Sequence, residues 1–185
     1  VFMKKILSVI FCVVLLVSAL SITTAATEAK VFGSFTYKIE NNEVTITKCE
    51  QNVRDTIEIP AEIENLPVTA IWRRAFANCN LIQSIRIPNT VKSIGLSAFD
   101  NCQNLKNISI PEGVATLEYS TFDSCSSLES ITIPDSVTII GSNVFSNCSS
   151  LKNITLSKNI EYIAPYVFYG CKKLDNVVIP EKVKT

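Results

Sequence analysis

Between Phe76 and Val183 the apolar positions of the chain return every 23 residues. Aligned on a recurring Ile-Pro step, one inward column holds Ile87, Ile110, Ile133, Leu156 and Ile179, and a second holds Val91, Val114, Val137, Ile160 and Val183. Others are Ile94, Leu117, Ile140, Ile163; Phe76, Phe99, Phe122, Phe145, Phe168; and Cys79, Cys102, Cys125, Cys148, Cys171. Two more run Ile82, Leu105, Leu128, Leu151, Leu174 and Ile85, Ile108, Ile131, Ile154, Val177. A fixed period of this size marks a solenoid, in which each coil buries its apolar side only against the coils beside it.

Within a repeat, Ser130-Ile131-Thr132-Ile133 alternates outward and inward, so it reads as a strand that Pro134 ends by offering no ladder donor. VTII (137–140) makes a second strand-like edge, and SNVFSNCSSL (142–151) is too rich in Ser, Asn and Cys for a long helix, which leaves a tight turn or a short helix. Asn78, Asn101, Ser124, Asn147 and Gly170 recur beside the cysteine, where side-chain bonding to turn backbone accounts for the polar ones. Upstream, GSFTYKIENNEVTITKC (33–49) alternates on both sides of Glu40-Asn41-Asn42-Glu43 and reads as a β-hairpin. Laid over the first coil, it would shield an open apolar end. The expected fold is a β-rich solenoid of about five coils with short turns or helical segments and an N-terminal β-hairpin cap.

Composition divides the chain further. Much of its 47% hydrophobic content lies in residues 3–26, where two lysines, an apolar run from Ile6 to Leu20 and a small-residue exit read as a secretory signal. That run is shorter than the roughly 20 residues a bilayer core requires, so no membrane span is expected once it is removed. The organisation is then a signal at 1–26, a linker and hairpin cap at 27–58, and the solenoid at 59–185. Loss of Lys4 and Lys5 sets the 17 basic side chains two below the 17 acidic ones, a formal −2 that attracts no nucleic acid.

The pattern LxxIxIPxxVxxIGxxAFxxCxxL, carried within LIQSIRIPNTVKSIGLSAFDNCQNL (81–105), resembles the BspA-like leucine-rich repeats of bacterial and some protist surface proteins. The lead-in IEIPAEIENLPVTAIWRRAF (57–76) resembles the way such arrays begin. The sequence departs from that pattern where Trp72, Glu118 and Ala164 stand in the column of Gly95 and Gly141 and where Ser157 replaces a proline, departures expected to loosen turns locally. The resemblance implies a secreted or surface-displayed binding module, its family linked to adhesion to host matrix proteins and to other cells.

The cysteines are the first candidates for chemistry. Six remain after signal removal, and two readings stand: a reduced ladder packed as small apolar groups at Cys79, Cys102, Cys125, Cys148 and Cys171, or one or more disulfides between adjacent rungs. No Cys-x-x-Cys pair occurs and histidine is absent, which removes common zinc sites and Ser-His or Cys-His catalysis; no cofactor and no metal are expected. A glycosidase-like carboxylate pair would have to use Glu112 and Asp135, equivalent positions one coil apart in a column that Lys158 interrupts. Solvated turn residues explain them better, and the column offers too few oxygens for calcium.

Recognition is therefore expected on the outward strand positions, where Arg86, Asn107, Ser109, Ser130, Thr132, Asn153 and Thr155 form one ordered polar face. Its expected ligand is an extracellular protein or glycan, host matrix proteins included. Trp72, Arg73 and Arg74 are a candidate anchor of hot-spot type, although Trp72 is expected to pack under the hairpin. Sequons start at Asn107, Asn147 and Asn153, and glycans at the first and third would cover that face in a eukaryotic source. IPEKVKT breaks off inside a coil, with Ile179 and Val183 ready to stack, so a longer reading frame or end-to-end self-association is expected. The leading reading is a non-catalytic binding module; a spacer in a longer surface protein is second, and a carbohydrate-acting enzyme is remote.

Overall fold

A computed structural model describes residues 29–184, and the signal segment read at 1–26 lies outside them. The chain starts with β1 (Lys30–Phe32), β2 (Phe35–Glu40) and β3 (Glu43–Cys49), an antiparallel set. Asn41 and Asn42 turn the β2–β3 hairpin with φ of 52° and 61°, the left-handed pair that a two-residue loop needs and that asparagine tolerates. A second tight hairpin follows, in which Glu64 and Asn65 join β5 (Glu62–Ile63) to β6 (Leu66–Ile71) in the same conformation.

The coils contribute two strands each: β7 (Ile82–Arg86) and β8 (Ser93–Ile94), β9 (Asn107–Ile108) and β10 (Thr116–Leu117), β11 (Ser130–Thr132) and β12 (Ile139–Ile140), β13 (Asn153–Thr155) and β14 (Tyr162–Ile163). The first strands stack in parallel to form one face, beginning with β4 (Asp55–Glu58) paired to β7. The second strands stack likewise on the other side, where β3 adds in parallel to the edge of β6. β4 thus belongs to the solenoid, although the repeat pattern assigned residues up to 58 to the linker and hairpin. Its rung runs 28 residues to the next, Glu58 to Arg86, and the 23-residue frame does not reach it.

Neither strand stack is continuous. Pairing lapses between β9 and β11 on the first face and between β8 and β10 on the second. The side between the second strand and the next first strand, read as turn or short helix, is turn throughout. There the coils hold one another by regular backbone bonds. Arg74, Phe76 and Asn78 donate to Leu96, Ala98 and Asp100, and each later junction repeats the same three bonds up to Asn147, which donates to Tyr169 at 2.7 Å.

Two columns of left-handed residues make this geometry. Arg74, Ser97, Ser120, Asn143 and Tyr166 form one, with φ from 53° to 63°; Asn78, Asn101, Ser124 and Asn147 form the other, with φ from 57° to 64°, and Gly170 follows at 74°. The recurring Asn beside each cysteine is thus explained by backbone conformation, with side-chain bonding secondary: Asn101 Nδ2 reaches Asn78 Oδ1 at 2.8 Å.

The apolar columns meet in one core. Phe76, Phe99, Phe122, Phe145 and Phe168 stack with centroids 5.2 to 6.1 Å apart, and the later rings are nearly parallel. From the hairpin, Phe35, Tyr37, Val44 and Ile46 are buried in the same cluster, with Phe35 edge-on to Phe76 at 6.2 Å. The last coil repeats the pattern without the burial: Phe168, Cys171 and Leu174 are half-buried and Ile179 is exposed.

The expected loosening at the glycine column does not occur at Trp72 or Ala164. Trp72 N–H still bonds Ile46 O at 2.8 Å and Ala164 N–H bonds Ile140 O at 2.9 Å, as Gly95 bonds Ile71 O. Gly95 answers a local approach instead, since a Cβ there would lie 2.7 Å from Arg73 N.

Candidate functional site

The first face carries the predicted polar positions in register. Ser130 lies beside Asn153 and Thr132 beside Thr155, all four exposed, while Ile131 between them points into the core. A groove of about 360 Å³ crosses this face and is lined by Arg86, Asn107, Ser109, Ser130 and Thr132, together with Ser84, Ile85, Ile108 and Ile131. It spans the lapse between β9 and β11. Asn153 and Thr155 continue the face one coil beyond it.

Ser84 was missed, yet it stands one period before Asn107 and the column itself could have found it. Glu58 had no such signal. It lies opposite Arg86 in the β4–β7 register, with its carboxylate 3.9 Å from the guanidinium, and both groups are largely exposed, so the pair adds little to stability. The pair sets an acidic group beside Arg86, which lines one end of the groove; Glu58 itself lies outside the lining.

Trp72, Arg73 and Arg74 are all exposed and share no lining with that groove. Trp72 does not pack under the hairpin as its position suggested: 47% of it is exposed, and Lys38 from β2 lies over its ring, with the ammonium 4.4 Å from the centroid. Trp72 and Arg73 line a separate cleft of about 370 Å³ with Lys38, Glu40, Leu96 and Glu118. Arg74 turns toward Asp100, 3.9 Å away.

The carboxylate column lacks the electrostatics of an acid pair. Asp135 takes a 2.7 Å ion pair from Lys158, whose hydrogen bond holds the carboxyl below its ordinary range, opposite to the rise a general acid needs. Glu112 is exposed. Among the described residues no group of three or more His, Cys, Asp or Glu side chains is placed to hold a metal.

The cysteine column lies inward. Cys79, Cys102, Cys125 and Cys148 are buried and Cys171 is half-buried, all as free thiols. Cys102, Cys125, Cys148 and Cys171 donate to Phe76, Phe99, Phe122 and Phe145 carbonyls at 3.0 to 3.2 Å. Burial pushes their thiols up, to about 11 at Cys171 and further in the interior. Cys79 differs: the neighbouring thiol of Cys49 lowers it, while Cys49 itself is raised.

The family profile for the BspA type leucine rich repeat region matches residues 69–185 in six copies. The chain belongs to this family. Solved structures agree with the assignment. The T. pallidum leucine rich repeat protein is 29% identical with a TM-score of 0.73, over 80% of this chain and 69% of that one. A leucine rich cell surface protein from Faecalibacterium prausnitzii is 29% identical with a TM-score of 0.75, over 80% of this chain, and a leucine-rich repeat protein from Bacteroides ovatus is 29% identical with a TM-score of 0.63, over 84%. The BspA-type chain spans only 38% and 48% of those two proteins. No curated protein matches it in sequence. Among the described residues no helix is long and apolar enough to cross a membrane.

Proposed function

We propose that this BspA-type repeat chain is a non-catalytic module, exported and displayed outside the cell, that binds an extracellular protein or glycan through its first strand face. The observation that carries the reading is the groove at Arg86, Asn107, Ser109, Ser130 and Thr132. Small hydroxyl and amide side chains on a rigid stack offer hydrogen bonds at little entropic cost, and Arg86 adds a planar charged donor. Surface display is supported by the F. prausnitzii protein, described as a cell surface protein, and by the leader-like residues 3–26.

Biolayer binding of the chain to a panel of matrix proteins and surface glycans tests this, with a Ser109→Glu, Thr132→Glu, Thr155→Glu variant as partner. Three carboxylates on the face are expected to weaken a ligand of the parent at least about 100-fold, given about 1 kcal/mol or more lost at each site. Equal binding by the folded variant, or no ligand at all, removes the face as the site. The reading as a spacer in a longer surface protein then takes its place.

A further inference from the structure

We propose that the cleft at Trp72, where the N-terminal hairpin joins the first coils, binds a neutral saccharide, at a site separate from the polar face of the first strands. Its floor is set by strand register. Thr45 on β3 lies opposite Ala70 on β6, and Ala70 opposite Ser93 on β8, so three small outward side chains stand side by side. Later in the same column the side chains are larger: Ile139 and Tyr162, paired in register, are each close to half exposed. The depression of about 370 Å³ therefore belongs to the start of the array. Lys38, Glu40 and Thr45 of its lining come from the hairpin, outside the repeat period.

The walls carry the groups that a sugar ring needs. Trp72 lines the cleft with nearly half of its surface open. The indole is held in place before any ligand arrives, because the Lys38 ammonium over it is itself bound by Glu40 Oε1 at 2.9 Å. A platform already fixed loses little freedom on binding. A pyranose presents a patch of C–H groups that packs on an aromatic ring, and hydroxyls around its edge that both donate and accept. Glu40 and Glu118 supply acceptors for those hydroxyls, and Arg73 supplies planar donors.

Charge balance decides between ligand classes. Lys38 and Arg73 offset Glu40 and Glu118, so the charged side chains of the lining sum to zero. An anion would meet both carboxylates and a cation both basic groups, and either would carry a like-charge penalty into the cleft. A neutral polyol meets no such penalty, and its hydrogen bonds to charged partners are the stronger kind. The first-face groove differs in this respect: among the described residues no aromatic side chain lines it, so ring stacking is available at Trp72 and not there.

Trp72 is the chain's one tryptophan, so its fluorescence reads the cleft directly. The chain is titrated with neutral hexasaccharides of glucan, mannan, xylan and galactan, and with a heparin hexasaccharide as the anionic control. A saturable emission shift and protection from acrylamide quenching are expected with a neutral saccharide and not with heparin. Glu118→Ala and Arg73→Ala, at exposed positions, should each weaken that binding about tenfold. Calorimetry should show binding kept by Trp72→Phe and lost by Trp72→Ala, with circular dichroism confirming that both are folded. The Ser109→Glu, Thr132→Glu, Thr155→Glu variant should titrate as the parent does. No response to any neutral saccharide, tighter binding of heparin, equal binding by Trp72→Ala or loss in the first-face variant overturns the assignment. A matrix protein that needs Trp72 where no saccharide does makes the cleft a protein contact and overturns it as well.

Discussion

The turn side and the strand faces of this solenoid are built from the same repeats but carry different loads. From Arg74 to Tyr169 the turn side keeps three backbone bonds at every junction, while both strand stacks lapse beside the coil of β9 and β10. The turn side is also where the phenylalanine stack and the thiol ladder lie, so its hydrogen bonds and its apolar packing coincide. The strand faces need only present side chains. A repeat protein that anchors itself along its turns leaves its strands free to vary at the surface, and a groove opens where pairing lapses.

The largest expected effect tests that division directly. Phe122 is fully buried between Phe99 and Phe145, at 5.3 and 5.6 Å, and Phe122→Ala should cost about 3–5 kcal/mol by leaving an unfilled void in the stack. Ile108 stands on β9, half-buried beside the lapse, and Ile108→Ala should cost about 1–2 kcal/mol. Urea unfolding followed by circular dichroism measures both. If Ile108→Ala matches or exceeds Phe122→Ala, the strand faces bear the load and the comparison fails.

A smaller effect of opposite sign sharpens the account of the turn side. Among the described residues Tyr166 is the one aromatic at a left-handed position, at φ 63°, and 70% of it is exposed, with an edge contact to Tyr169. An aromatic side chain is poorly tolerated there, so Tyr166→Gly should raise stability by about 0.5–1 kcal/mol in the same unfolding experiment. A loss would mean that the ring contributes packing that outweighs the backbone strain.

The two sides were unequally legible in the sequence. The inward columns and the Ile-Pro strand ends could be read directly, because burial and the missing proline donor leave a residue-type signature at each period. Positive φ leaves a weaker one: Asn78, Asn101 and Asn147 mark it, but Arg74, Ser97 and Tyr166 hold the same conformation with side chains that announce nothing. The polar face could be listed but not its groove, since the lapse between β9 and β11 depends on how coils settle on one another. Glu58 beside Arg86 was hidden by the 28-residue first rung. Pattern reveals what repeats, and the chain's exceptions concentrate at its first coil.

The smallest effect concerns charge on the turn side. Asp100 is partly buried, and desolvation, with the like charge of Asp123 added, raises its carboxyl above the ordinary 3.8 despite Arg74 nearby. The folded state then binds that proton more tightly than the unfolded state, so stability falls as pH rises from 3.8 through the raised value, and the deficit is complete at neutral pH. Asp100→Asn should therefore raise Tm at pH 7 by roughly 1–2 °C, with the gain fading as pH drops below the ordinary carboxylate value. Asp135 provides the opposite sign, since Lys158 lowers it: its contribution is present above the ordinary value and lost as pH falls through the lowered one, so Asp135→Asn should reduce Tm slightly at pH 7 and not in strong acid. Thermal melts of both variants between pH 2.5 and 7, about the span over which carboxylates titrate, separate the two cases. Parallel pH trends would show that neither carboxylate responds to its own neighbours, and the solenoid would then owe its strength to packing and backbone bonds rather than to these charges.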